Sequence, residues 1–244
     1  MKSILPVLPI LLTLFASSAG ATDRTHTPMP DDVIVLGALH AMHETESSFD
    51  YESLREIISS FDPDLMVLEV KPTELAKLSD TRGRPEYPEV LWPMLSSYEG
   101  TVVAMEPDGD LYNELTGAAS QAFGDLTARS ENDWDALNSH NAATKAVLQA
   151  YWTNIARTQD STTAALATGF YEAQVALAGD TYAKAQTRWE AFMSEEAKNA
   201  VLSHSNKRVL VLGSYKNRHI LEAAIRDVAD ERLVSADSWI RENW

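Results

Sequence analysis

The sequence predicts an α/β fold: a mostly parallel central sheet with flanking helices and a large helical insertion between the third and fourth strands. Three observations carry that expectation. Residues 33–40, 64–70, 101–106 and 208–214 are aliphatic and β-branched runs without polar alternation, the pattern of strands buried on both faces. Segments with helical spacing separate the first three, and such alternation calls for parallel pairing through right-handed crossovers. Between the third and fourth runs, residues from about 108 to 205 are Ala-rich and hold no strand-like stretch.

At the N-terminus, Lys2 precedes the apolar run Ile4–Phe15, and small residues lead to Ala19-Gly20-Ala21. A basic start, an apolar core and an A-x-A site read as a secretory signal peptide over residues 1–21. The apolar run is too short, and too broken by Pro6 and Pro9, to span a bilayer. No later stretch could span one either. Residues 22–32, with Pro28 and Pro30, read as a linker, and residues 33–244 as a single α/β domain.

Past the first strand, Asp50 is a plausible N-cap for a helix whose Leu54, Ile57, Ile58 and Phe61 share one face, stopped by Pro63. Pro72 fits the first position of a short helix reaching Leu78. Residues 79–99 contain Gly83, Pro85, Pro88 and Pro93 and read as a loop with one helical turn. Within the insertion, Trp134, Leu137, Leu148, Tyr151, Trp152 and Ile155 follow one helical stripe, which is the mark of core packing. Leu166, Phe170 and Leu177 belong to a further helix. Gly179-Asp180 breaks it, with Asp180 as the next N-cap before Trp189, Phe192 and Met193. After the fourth strand, Asn217–Asp227 reads as a helix, Arg232–Ala236 as a short last strand, and Trp239–Trp244 as a tail. The insertion is placed to act as a lid over the strand ends.

Composition excludes several functions. The 244 residues carry a formal net charge of −16 and no cysteine. Loss of residues 1–21 removes only the charge of Lys2 and leaves −17. A chain this acidic is a poor partner for nucleic acid or anionic lipid. Without cysteine there is no disulfide framework, thiolate metal site or thiol nucleophile, and no lipid-modified cysteine. A free periplasmic or secreted protein fits these facts.

The chemistry gathers at the strand ends. His40 follows the first strand in Gly37-Ala38-Leu39-His40, Glu69 closes the second, Glu106 the third, and Lys216–His219 follow Gly213 of the fourth. In an open parallel sheet, ligands bind in the crevice beyond those ends. Imidazole and carboxylate there can share a divalent ion or form an acid–base pair around water. The cluster His40-x-x-His43-Glu44 does not have the spacing of the helix-borne zinc motifs. A nearly buried Glu69 needs a cation, a metal or a proton.

Gly37-Ala38-Leu39-His40, the helix after it and Pro63–Glu69 resemble the opening of the TraB-like superfamily, which includes Tiki-type metalloproteases, erythromycin esterases and ChaN-like haem-binding proteins. Arg208–Gly213 and the following helix are similar to its closing element. The resemblance implies a parallel sheet with helical insertions and a His/Glu site at the strand ends, built in Tiki-type members from two Gly-x-x-His motifs and glutamates around a metal. Here the second motif reads Gly213-Ser214-Tyr215-Lys216, with lysine in place of histidine. An ammonium repels a divalent metal and is expected to pair with Glu69 or Glu106 instead, while His219 lies one helical turn on.

The function expected is therefore that of an exported hydrolase, with or without a metal, acting on a small-molecule or peptide substrate. His40, Glu69, Glu106 and Lys216 are its candidate catalytic groups, and His40, His43, Glu69 and His219 the candidate metal ligands. The alternative is a non-catalytic haem-, metal- or protein-binding member of the same fold.

Overall fold

The computed structural model describes residues 29, 31–79, 81 and 83–244; the signal-peptide reading and most of the linker lie outside the described residues. The first strand, β1 (Val33–Ala38), is buried along its whole length. Helix α1 (Tyr51–Phe61) starts where Asp50 accepts a hydrogen bond from the Ser53 N–H and ends at Asp62 in a left-handed conformation, so Asp50 is the N-cap. It leads to β2 (Leu65–Leu68), and a single turn, α2 (Pro72–Leu75), follows with Pro72 at its first position. Where one helical turn in a loop was expected, a π-helical turn at Tyr87–Leu91 runs directly into α3 (Trp92–Leu95).

Strand β3 (Thr101–Ala104) precedes the helical insertion. The insertion consists of α4 (Gly109–Arg129), α5 (Glu131–Tyr151), the short α6 (Ile155–Thr158), α7 (Ser161–Ala178) and α8 (Asp180–Ser203). Gly179, at φ +83°, makes the break between the last two, so it and not Asp180 is the cap residue. Strand β4 (Val209–Ser214), α9 (Arg218–Ala229) and the two-residue β5 (Leu233–Val234) follow. The tail forms α10 (Ala236–Asn243), which buries Trp239 and Ile240.

The five strands form one sheet in the order β3-β2-β4-β1-β5, and every pairing is parallel. Alternate side chains serve two cores. Ile34, Leu36, Met66, Leu68, Leu210 and Leu212 face α1 and α10. Val33, Val35, Val67, Val209 and Val211 face Leu221 and Ile225 of α9 and Met193, Ala197 and Val201 of α8. The chain passes from β1 outward through β2 to β3, then returns to lay β4 between β2 and β1. The direction of winding thus reverses beside β1 and β4, where a crevice opens beyond the strand ends.

The register aligns Gly37 with Gly213 at that point. A Cβ on Gly37 would stand 2.8 Å from the Tyr215 Cα, and one on Gly213 would stand 3.0 Å from Glu69 Oε2. The missing side chains let the following residues fold in over the strand ends. Beyond Ile34, β1 has no β5 neighbour, and the side chain of Gln159 takes the vacant edge. Its Oε1 accepts from the Gly37 N–H at 2.8 Å, and its Nε2 donates to the Gly37 carbonyl at 2.9 Å. Those bonds moor the insertion to the sheet.

Candidate functional site

His40 is the first residue past the turn out of β1, and its φ of +56° lies in the left-handed region. For a residue with a Cβ this conformation costs about 1–2 kcal/mol, and such strain concentrates at functional positions. The conformation lets the ring leave the sheet and meet a carboxylate. His40 Nδ1 is 2.7 Å from Glu86 Oε1, whose side chain is only 1% exposed. With Nδ1 engaged, Nε2 is the nitrogen left to act in the cavity that His40 lines.

Glu86 stands at the start of the π-helical turn, a distortion frequent at functional sites. The Tyr87 hydroxyl, at 2.7 Å, and Arg84 both donate to the Glu69 carbonyl and tie this segment to the end of β2. Arg84 also meets Glu106 Oε2 at 2.8 Å. Burial pushes the Glu106 carboxyl up to about 7, with Glu69 adding to the rise and Arg84 opposing it. On Arg84 the surroundings favour the charge: burial works against it, but Glu106 and Glu69 outweigh burial and raise its pKa.

Glu69 is buried, as its place at the end of an apolar strand implied. Its partners are those of a structural staple. Oε2 accepts from the Ser214 N–H, and Oε1 from the Asn217 amide at 3.3 Å. The carboxylate thus joins the ends of β2 and β4.

Lys216 departs from its expected partners. Among the described residues it makes no ion pair with Glu69 or Glu106, the latter being taken by Arg84. Its ammonium lies 4.3 Å from the centre of the Phe170 ring, exposed to the cavity. The protein packed around it lowers its pKa, against the pull of Glu69. His40 and Lys216 line the same cavity, of about 310 Å³, roofed by Asn141, Thr144, Lys145 and Leu148 of α5 and by Phe170 of α7. The insertion therefore does cover the strand ends.

The four residues considered as metal ligands are not brought together. His43 is buried with both ring nitrogens used: Nε2 accepts from the Leu39 N–H at 2.9 Å and Nδ1 donates to the Phe49 carbonyl at 2.7 Å. Desolvation lowers its pKa, as suits a neutral ring holding the turn after β1. Both oxygens of Glu69 are engaged. His219 lines a different cavity, of about 340 Å³, beside α9. Burial and the adjacent Arg218 lower its pKa. That cavity's arginines are matched internally, Arg218 and Arg226 both pairing with Glu222. Among the described residues no group of three or more His, Asp or Glu could hold a metal ion. With a lysine in the cavity as well, this donor set does not fit a divalent metal. Tyr215 also lines the cavity, and burial pushes its hydroxyl up to about 12.

Glu86, Arg84 and Lys145 are site residues that the sequence reading passed over. The one signal for Glu86 was a carboxylate set between Pro85 and the Tyr87-Pro88 pair, a rigid and apolar setting for a charge. No family model, curated protein or solved structure matches this chain.

Proposed function

We propose that the protein is an exported hydrolase that acts without a metal, with His40 as general base, Glu86 as its positioning residue and Lys216 as the group that stabilises developing negative charge. The observation that supports this most is the Glu86–His40 pair at the mouth of the sheet crevice. Glu86 holds the Nδ1 proton, so the Nε2 lone pair can take a proton from a water in the cavity. That water attacks the substrate carbonyl, and its proton passes from Nε2 to the leaving group. The Lys216 ammonium answers the oxyanion that forms between those steps, in a cleft where such an interaction is stronger than in bulk water. Export rests on the N-terminal sequence pattern alone.

A cavity of about 310 Å³ suits a small molecule better than a peptide. The test is hydrolysis of small chromogenic esters and amides by the purified chain. His40→Ala should lower kcat/KM about 10²–10⁴-fold with the melting temperature little changed. Equal hydrolysis by wild type and His40→Ala would overturn the assignment. Loss of activity on dialysis against a chelator would overturn its metal-free part.

A further inference from the structure

The His40–Lys216 cavity carries charge of one sign in a chain that is overwhelmingly of the other. Lys145 reaches it from α5 and Lys216 from the end of β4, and among the described residues no carboxylate lines it, Glu86 standing behind the His40 ring. The chain as a whole has 36 Asp and Glu against 20 Lys and Arg. Neither lysine forms an ion pair among the described residues, whereas Lys71 and Lys198 each pair with a glutamate three positions away. The rest of the wall is apolar or neutral: Leu148 and Phe170 on the roof, with the Asn141 amide beside them.

We infer that this cavity binds a small organic anion, with its charged group between the ammoniums of Lys145 and Lys216 and its apolar body against Phe170 and Leu148. Two cations converging in a cleft concentrate an anion from solution, even when the distant surface repels it. The apolar walls give the body a place to leave water and distinguish an organic anion from an inorganic one. The inference rests on the proposed hydrolytic role only in naming that anion as substrate or product; binding stands apart from catalysis. Lys145 is exposed on its helix, so it can be changed without disturbing a core.

The experiment is calorimetric titration of the full chain with benzoate, its neutral isostere benzamide and inorganic phosphate. Benzoate should bind at least about tenfold more tightly than either of the others, since an ion-assisted contact contributes that much. Lys145→Gln and Lys216→Gln should each weaken benzoate about tenfold, Lys145→Glu more, and added salt should weaken the wild type. Benzamide binding as tightly as benzoate, or no benzoate binding at all, overturns the inference. So does phosphate matching benzoate, because the apolar walls would then have no role. Lysine-dependent benzoate binding in a chain without hydrolytic activity would sink the hydrolase reading and leave the anion site. Activity dependent on His40 with no preference for benzoate would do the reverse.

Discussion

The Nδ1 atom of His40 stands 2.7 Å from Oε1 of Glu86, across 46 residues of sequence, and the other oxygen of that buried carboxylate has no hydrogen-bond partner among the described residues. A carboxylate on Nδ1 fixes the tautomer and leaves Nε2 as the base. Glu86→Gln should therefore lower kcat about 10²–10⁴-fold with KM nearly unchanged, because an amide can donate to Nδ1 and move the ring proton to Nε2. Nitrogen NMR of the His40 ring should show that change of tautomer, which loss of packing alone would not produce. An unchanged kcat would remove Glu86 from the mechanism.

The paired glycines at the ends of β1 and β4 make a prediction about stability. A methyl group on Gly37 would lie 2.8 Å from the Tyr215 backbone, with the Gln159 side chain at 3.3 Å. Backbone cannot turn aside as the end of a flexible side chain can. Gly37→Ala should cost about 1–3 kcal/mol in chemical denaturation, the usual penalty of overpacking. A smaller loss would show that the strand ends can part, and that the crevice is softer than this packing implies.

The fold was legible because its strands are apolar on both faces, a pattern that surface loops and amphipathic helices do not share. The same pattern marked His40, Glu69, Glu106 and Lys216 as strand-end residues. It could not say which of them face one another. Glu69 and Lys216 both follow central strands, yet Glu69 turns to the backbone of Ser214 while Lys216 turns to Phe170. Glu86 was hidden because its segment is a π-helical turn held by tertiary contacts, such as the bond from Tyr87 to the Glu69 carbonyl, and such a turn has no periodic signature. His43 stood beside His40 in the sequence as a candidate ligand, although their spacing matched no helix-borne zinc motif. Only the course of the chain to Phe49 shows that its ring is spent on the turn.

Glu106 predicts a pH dependence of stability. Its ordinary value of 4.5 is raised to about 7 in the folded chain, first by burial and then by Glu69. Between those values the folded chain holds a proton that the unfolded chain has released. Stability from this group therefore falls as pH rises from about 4.5 to about 7, and is level beyond. His43, whose pKa is lowered on folding, works the other way below its ordinary 6.5. The difference between wild type and Glu106→Gln isolates the carboxyl. Urea midpoints should show the variant gaining on the wild type from about pH 5 to about pH 8. A constant gap would mean that Arg84 cancels the effect of burial.

Lys216 ties the proposed chemistry to pH from the alkaline side. Its ammonium must keep its proton to stabilise an oxyanion, and the crowded cleft lowers its pKa from the ordinary 10.5 despite Glu69 nearby. Activity should accordingly fall at a pH below 10.5, as the amine loses the charge that the transition state needs. A guanidinium keeps its proton throughout that range. Lys216→Arg should then lose activity at neutral pH, because the larger planar group cannot sit over Phe170 in the same place, yet retain what remains into the alkaline region. Lys216→Gln should be slow at every pH, by about 10²-fold or more, as for removal of an oxyanion donor. The pH–rate profile separates the possibilities: if the alkaline fall persists unchanged in Lys216→Arg, another group titrates there, and Lys216 is not the residue that meets the developing charge.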